Sequence, residues 1–325
     1  MIAIFLRPTV RPYLILVGVV VLLAAIDAGN GRFLTLATAY SALQSFSTFG
    51  LVALGLGLTM LIGEFDLSTA GVFGLAGCVA LTTGAENAGI GLLCAVGVGG
   101  AFGFAQGLVI TSLGLGSVSI TLGGLLTASG LSYVITHNQV ISSDNLDLAT
   151  MVNDPVAGLF SIRSLVVLVI FAAAAIIFAA TRLGRDLVAV GSDRKAAMIA
   201  GVSVNKLVLG AFTFSGLMAA LSGSMLSYGL ASASPSGLSD VLVPSAAAAI
   251  LGGVSLSGGT GTPFGIAAGA LTLTVLRSGL NAVAAPPFAH DLATGLILFA
   301  VAVSDAPYLM RRVAALGIRF RRTPE

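Results

Sequence analysis

The chain has 325 residues, 57% of them hydrophobic and 9% charged, with a formal net charge of +2. A soluble domain carries about 25% charged residues, so this composition excludes an ordinary water-soluble enzyme or nucleic-acid-binding module and implies a lipid bilayer as solvent. Gly accounts for 42 residues, against a usual share of about 7%, and in lipid small residues let helix backbones approach closely.

A crossing needs roughly 20 apolar residues. In chain order such segments fall at 13–26, 46–62, 67–83, 89–111, 117–136 and 165–180. After a polar stretch they resume at 207–230, 241–252, 265–283 and 292–303. The expected fold is all-α: one transmembrane domain, 1–325, a polytopic helical bundle of about ten spans with broken helices. Segment 241–252 is too short for a full crossing and reads as half of a broken helix. The first segment has Arg7 and Arg11 before an apolar core, as a signal peptide does. Further spans follow at once, so it reads as an uncleaved anchor. Cys78 and Cys94 lie in apolar runs without metal-ligand spacing and read as small buried hydrophobes.

Basic residues cluster in three places. Arg7 and Arg11 precede the first span. Arg182, Arg185, Arg194, Lys195 and Lys206 fill the stretch 182–206, expected to be a cytoplasmic loop. Arg311, Arg312, Arg319, Arg321 and Arg322 lie in a tail, 307–325. Basic loops stay cytoplasmic, and an even number of spans separates each pair of clusters, so both termini are expected on the cytoplasmic side. The stretch 137–162 carries Asp144, Asp147 and Asp154 without Lys or Arg and reads as external.

Two carboxylates interrupt the apolar run 46–83, in Gly63-Glu64-Phe65-Asp66-Leu67-Ser68. An Asp at hydrocarbon depth costs on the order of 2.5–3.5 kcal/mol, so such residues face a protein interior or a water-filled path. The segment Leu61-Ile62-Gly63-Glu64-Phe65-Asp66-Leu67-Ser68 is echoed by Ile250-Leu251-Gly252-Gly253-Val254-Ser255-Leu256-Ser257. Phe73-Gly74-Leu75-Ala76 is likewise echoed by Phe264-Gly265-Ile266-Ala267. Glycine-interrupted apolar segments in corresponding halves mark a transport site between them. The span order puts both junctions on one face of the membrane.

These residues resemble the permease subunits of bacterial ATP-binding-cassette importers for monosaccharides, of the ribose and xylose type, within the branched-chain amino acid and monosaccharide permease group. The resemblance covers roughly residues 43–305. It rests on the order of several motifs: Gly63-Glu64-Phe65-Asp66-Leu67-Ser68 with Gly71, Thr121-Leu122-Gly123 ahead of Gly130-Leu131, and Thr181-Arg182-Leu183-Gly184-Arg185. The second half adds the run from Ile250 through Ser257 to Gly258-Gly259-Thr260-Gly261, then Gly279-Leu280-Asn281. Glu64 departs from the family, standing where a small residue is usual, and Arg277 stands where a polar neutral one is. The resemblance implies a bacterial inner-membrane permease without cofactor. Its partners would be a second permease copy or close paralogue, two cytoplasmic ATPase subunits and an external substrate-binding protein. Neither of the two lysines, Lys195 and Lys206, follows a glycine, so the chain has no Gly-Lys-Ser/Thr phosphate loop. The chain itself is not expected to be an enzyme.

The candidate translocation-path residues are Glu64, Asp66, Ser68, Ser255, Arg277 and Asn281. Glu64 and Asp66 either line the path or cap the helix that follows. Arg277 and Asn281 share one helix face, and Arg277, inside an apolar segment, calls for a partner: a buried pair with Glu64 or Asp66, or escape to an interface. Gln106 and Thr121 are read as bonding neighbouring helices rather than a solute, and Asp240 and Asp291 as helix caps. His137 and His290 sit at span ends. Residues 193–200 are expected to form the helix that couples to the ATPase, with Ser192 as N-cap, Asp193 in the first turn and Gly201 ending it. Its contact residues would be Asp193, Arg194, Ala196, Ala197, Met198, Ala200 and Gly201, with Ala196, Ala197, Met198 and Ile199 exposed. The competing reading is a self-contained transporter or channel with Glu64, Asp66 and Arg277 as a charge relay.

Overall fold

The computed structural model describes residues 10–143, 145–237 and 241–300. Arg7, Asp144, Asp240, residues 301–303 of the last segment, and the tail 307–325 with its five arginines lie outside the described residues.

Helix α1 (Arg11–Ile26) carries Pro12 in its first turn, where a missing N–H is tolerated. Helix α2 (Leu36–Leu61) begins at the cap Thr35, whose hydroxyl accepts the Thr38 N–H at 3.2 Å. It starts well before the apolar run at 46 because its polar first turns find partners. Tyr40 donates to the Asn153 carbonyl, Gln44 donates to Tyr40, and Ser161 Oγ donates to Gln44 Oε1. Helix α3 (Thr69–Thr83) follows the break at 62–68, and α4 (Ala88–Leu113) begins at the Asn87 cap. After α5 (Ser117–Ile135), strand β1 (Ile141–Ser142) and α6 (Leu146–Asn153), a Ser161–Ser164 capping box opens α7 (Ile162–Ala180).

The expected loop 182–206 is mostly two helices, α8 (Arg182–Ser192) and α9 (Arg194–Ile199). In α8, Gly184, Leu187 and Val190 recur at helical spacing and are buried, while Arg182 and Arg185 face out. Helix α10 (Val204–Leu230) leads to strand β2 (Ser232–Ala233), which pairs antiparallel with β1 in the register Ile141↔Ala233 and Ser142↔Ser232. The remaining helices are α11 (Leu242–Leu251), α12 (Pro263–Ala282) and α13 (Phe288–Ala300).

Among the described residues six helices are long and apolar enough to cross a membrane: α2, α4, α5, α7, α10 and α12. Their burial sorts them into two layers. The apolar windows of α2, α12 and α10 are 72%, 67% and 61% buried, against 22%, 22% and 28% in α4, α5 and α7. The first three make the centre, and the last three present apolar side chains outward, as lipid requires. Cys94, on the outer side of α4, is exposed rather than buried; Cys78 in α3 is buried. Glycine brings α4 against α10. A Cβ at Gly99 would lie 2.5 Å from the Gly216 carbonyl oxygen, and one at Gly216 would lie 2.2 Å from that of Gly99. Around α2, Phe46 stacks on Phe171 of α7 with ring centroids 5.3 Å apart.

Helix α11, with 10 residues, spans about 15 Å. Residues 232–237 ahead of it are not helical, yet Gly237 lies against Gly74 in the body of α3, with a Cβ at either glycine within about 3.1 Å of the other's Cα. Val241 packs on Val52 and Phe73. The chain therefore reaches the body of the bundle as non-helical backbone, with a turn in which the Gly237 N–H donates to the Ser234 carbonyl at 2.9 Å. Such backbone is tolerated at membrane depth where protein buries it.

Candidate functional site at the paired helix breaks

Two helices end in the same turn. At the end of α2, Gly63 has φ +77°, its N–H donates to the Met60 carbonyl at 2.9 Å, and the Glu64 N–H reaches back to Thr59 at 3.0 Å. At the end of α11, Gly253 has φ +86°, with matching bonds to Ile250 at 2.9 Å and from the Val254 N–H to Ala249 at 3.0 Å. This is the Schellman closure, in which a left-handed glycine satisfies the last carbonyls. The sequence echo is thus a repeated backbone event. The two turns also meet: the Gly259 N–H donates to the Leu61 carbonyl at 2.8 Å. Both junctions lie at one end of the bundle.

Asp66 anchors the first break. Its Oδ1 accepts the Ser68 N–H at 3.0 Å and the Ser68 hydroxyl at 2.6 Å, and its Oδ2 accepts the Ser215 hydroxyl of α10 at 2.7 Å. Ser68 Oγ accepts Gln106 Nε2 of α4 at 2.8 Å. From α5, Ser117 Oγ accepts the Phe65 N–H at 3.2 Å, while Thr121 Oγ1 accepts the Leu67 N–H at 3.1 Å. Asp66, Ser68, Gln106, Thr121 and Ser215 are all buried. A buried carboxylate is held by converging donors here, and the break is tied to α4, α5 and α10 at once. Gln106 and Thr121 bond neighbouring elements, as their sequence setting indicates. Ser215 carries no signal in the sequence; it is one small residue among many in α10.

The second break has no carboxylate. Ser255 and Ser257 bond each other at 2.8 Å, and Gly258, Gly259 and Gly261 all have positive φ. The α8 end wedges between the two breaks: a Cβ at Gly191 would lie 1.9 Å from the Leu61 carbonyl oxygen and 2.4 Å from the Gly259 nitrogen.

Helix α9 differs in two respects from expectation. Ser192 ends α8, and Asp193 is the N-cap, its carboxylate accepting the Lys195 and Ala196 N–H groups at 2.9 Å each. One oxygen, Asp193 Oδ1, thus satisfies two orphan donors of the first turn of α9. Ala197 is buried in the cluster with Leu187, Val190 and Val208 rather than exposed. Ala196 and Ala200 are exposed, as are Met198 at 54% and Ile199 at 89%. Gly201 ends α9 at φ +86°.

The charged pairs also differ from expectation. Glu64 pairs with Arg194, Oε1 to Nη1 2.9 Å. Arg277 joins neither Glu64 nor Asp66. Its guanidinium lies 5.0 Å from the Phe49 ring centroid and its Nη2 is 3.9 Å from Asp291, whose side chain is 89% exposed. Arg277 sits in the half of α12 away from the breaks, too far along the helix to reach them. Asp291 stands in the first turn of α13 and faces Arg277, while Asn281 is exposed near the end of α12. The structure thus brings Glu64, Asp66, Ser68 and Ser255 to one end and leaves Arg277 and Asn281 towards the other. Sequence reasoning passed over Arg163, the second residue of α7. It is 5% exposed and donates to Asn153 Oδ1 at 3.2 Å and Thr48 Oγ1 at 3.0 Å, pinning α7 to α2 and α6. Its signal was a lone cation at the mouth of an apolar segment.

A polytopic helical bundle with paired glycine breaks and a helical hairpin seated on them is the architecture of a membrane transport protein. The chain belongs to the family described as branched-chain amino acid transport system / permease component, whose model matches residues 38–302. It is 29% identical over 303 residues to the ribose import permease protein RbsC of Escherichia coli (strain K12), covering 89% of this chain and 92% of that one. It is 31% identical over 296 residues to the autoinducer 2 import system permease protein LsrC of Yersinia enterocolitica, covering 89% and 81%. A probable ABC transporter permease protein of Sinorhizobium fredii is 32% identical over 272 residues, covering 81% and 80%. No solved structure matches the chain.

Proposed function

We propose that this chain is the membrane-spanning subunit of an ATP-driven importer for a monosaccharide or sugar-like solute in the bacterial inner membrane. The observation that carries the reading is the likeness, over nearly the whole chain, to permeases for ribose and autoinducer 2. ATP is hydrolysed on a separate subunit, which docks on α9. The six-residue α9 is too short to stand alone in water, and its Met198 and Ile199 offer apolar contacts beside Arg194. Asp193, Ala196, Ala200 and Gly201 shape that contact, while Ala197 seats the helix on the bundle.

In this reading the chain crosses ten times as one domain. The six long helices are joined by α1, α3, α13 and the broken span made of α11 and the non-helical stretch ahead of it, and both termini lie on the cytoplasmic side with the basic residues of α8 and α9. Glu64 and Ser255 stand at the cytoplasmic mouth of the path, and Arg277 and Asn281 towards its outer half. Asp66 and Ser68 hold the wall between them. A second copy of the chain completes the path, since the interior behind the first break is packed and hydrogen-bonded. An external binding protein delivers the solute. Because Glu64, Asp66 and Arg277 each bond elsewhere, they form no continuous relay of the kind a self-contained transporter would use.

The test is reconstitution in liposomes with a candidate ATPase subunit and a candidate substrate-binding protein, using the sugar that purifies with that binding protein. Uptake is expected to require ATP and all three proteins. Flux through this chain alone, independent of ATP, would overturn the reading.

A further inference from the structure

Glu64 occupies a confined position and depends on one partner. It follows the C-terminus of α2, and it shares a small cavity of about 150 Å³ with Gly114, the C-cap of α4, and with Thr111, Asn205 and Arg194. The ends of α2 and α4 turn partial negative charge towards it and the first turns of α9 and α10, which bring Arg194 and Asn205, turn partial positive charge, so the helix ends offset one another and burial decides: the Glu64 side chain is 10% exposed and that of Arg194 46%. One described cation answers it, Arg194, the first residue of α9. The same hairpin touches the second break through Gly191, and the two breaks are joined by the Gly259 to Leu61 hydrogen bond.

We propose that Glu64 is a positioning residue that, through Arg194, latches the α8–α9 hairpin onto both helix breaks, so that the breaks open only when the hairpin moves. The inference rests on the transport reading for its purpose and on the geometry alone for its existence. It carries an asymmetry that a plain structural contact lacks. Without Arg194, a carboxylate only 10% exposed is left without its cation; without Glu64, an arginine 46% exposed is left to solvent. Loss of the arginine is therefore worse than loss of both.

The experiment is hydrogen exchange by mass spectrometry on the full-length chain in lipid nanodiscs, without other subunits. Arg194→Gln is expected to speed exchange about tenfold in both 60–68 and 253–262, the order of a partly desolvated charge contact. Glu64→Gln raises it less, and Glu64→Gln with Arg194→Gln falls below Arg194→Gln alone. Arg185→Gln, a change to an outward-facing cation of α8, leaves both segments as they were. An unchanged pattern in Arg194→Gln, a rise confined to 60–68, or a double variant as exchange-prone as Arg194→Gln would each overturn the latch. With the ATPase bound, Arg194→Gln is expected to raise basal ATP hydrolysis and lower import. If the exchange results hold but the unaltered complex shows no ATP-driven import, the latch stands and the transport reading falls.

Discussion

The break after α2 and the break after α11 share one turn of backbone, closed by Gly63 in the first and Gly253 in the second, and they differ in what holds them. The first is fastened by side chains from three other helices converging on Asp66, Ser68 and the backbone of Phe65 and Leu67. The second has a serine pair, a run of positive-φ glycines, and a single backbone bond to the first. The same local chemistry thus produces a fixed turn where buried acceptors recruit neighbours, and a lightly held one where they are absent. A bundle that must rearrange needs both, since low-stability segments are where opening begins.

Seven substitutions would break or sharpen this contrast, each read as thermal or denaturant unfolding of the purified chain in detergent. The largest effect is expected for Asp66→Ala, which leaves the Ser68 and Ser215 donors unpaired and costs ~3–5 kcal/mol. The corresponding change in the second break, Ser255→Ala, stays within ~0.5 kcal/mol. Equal losses at the two sites would erase the distinction. Next comes Gly191→Ala, whose methyl group would drive into Leu61 and Gly259 together at a cost of ~3 kcal/mol. Gly201→Ala, with nothing within 4 Å of its Cβ, is expected to show only the left-handed strain of ~1–2 kcal/mol. Gly63→Ala belongs to the same class, its nearest neighbour being 3.7 Å from the added carbon. Gly258→Ala should cost more, since its Cβ would meet Gly191 and Gly63 at 2.8 Å. Below these comes Thr262→Ala, which removes the α12 cap oxygen that accepts the Gly265 N–H at 3.0 Å and costs ~1 kcal/mol.

Much of the architecture is legible from local pattern. The apolar segments, the glycine-ended breaks at Gly63 and Gly253, their repetition, and Gly201 as a helix stop are set by hydropathy and by left-handed backbone, which need no distant partner. The early start of α2 was hidden because Tyr40 and Gln44 are satisfied by Asn153 and Ser161, more than a hundred residues away. The burial of Ala197 was hidden for the same reason: a six-residue helix presents too little periodicity to say which side faces the bundle.

By itself the sequence determined that this is a helical membrane protein, where its helices break, and to which family its motifs belong. Each of these depends on composition or on residues within a turn or two. Only the tertiary structure decided how the charges pair. Glu64 meets Arg194 across 130 positions and Asp66 meets Ser215 across 149, while Arg277, the cation the sequence offers as partner, lies towards the other end of its helix. Charge attraction selects by distance in space through a low-dielectric interior, and spacing along the chain fixes that distance only within a single helix.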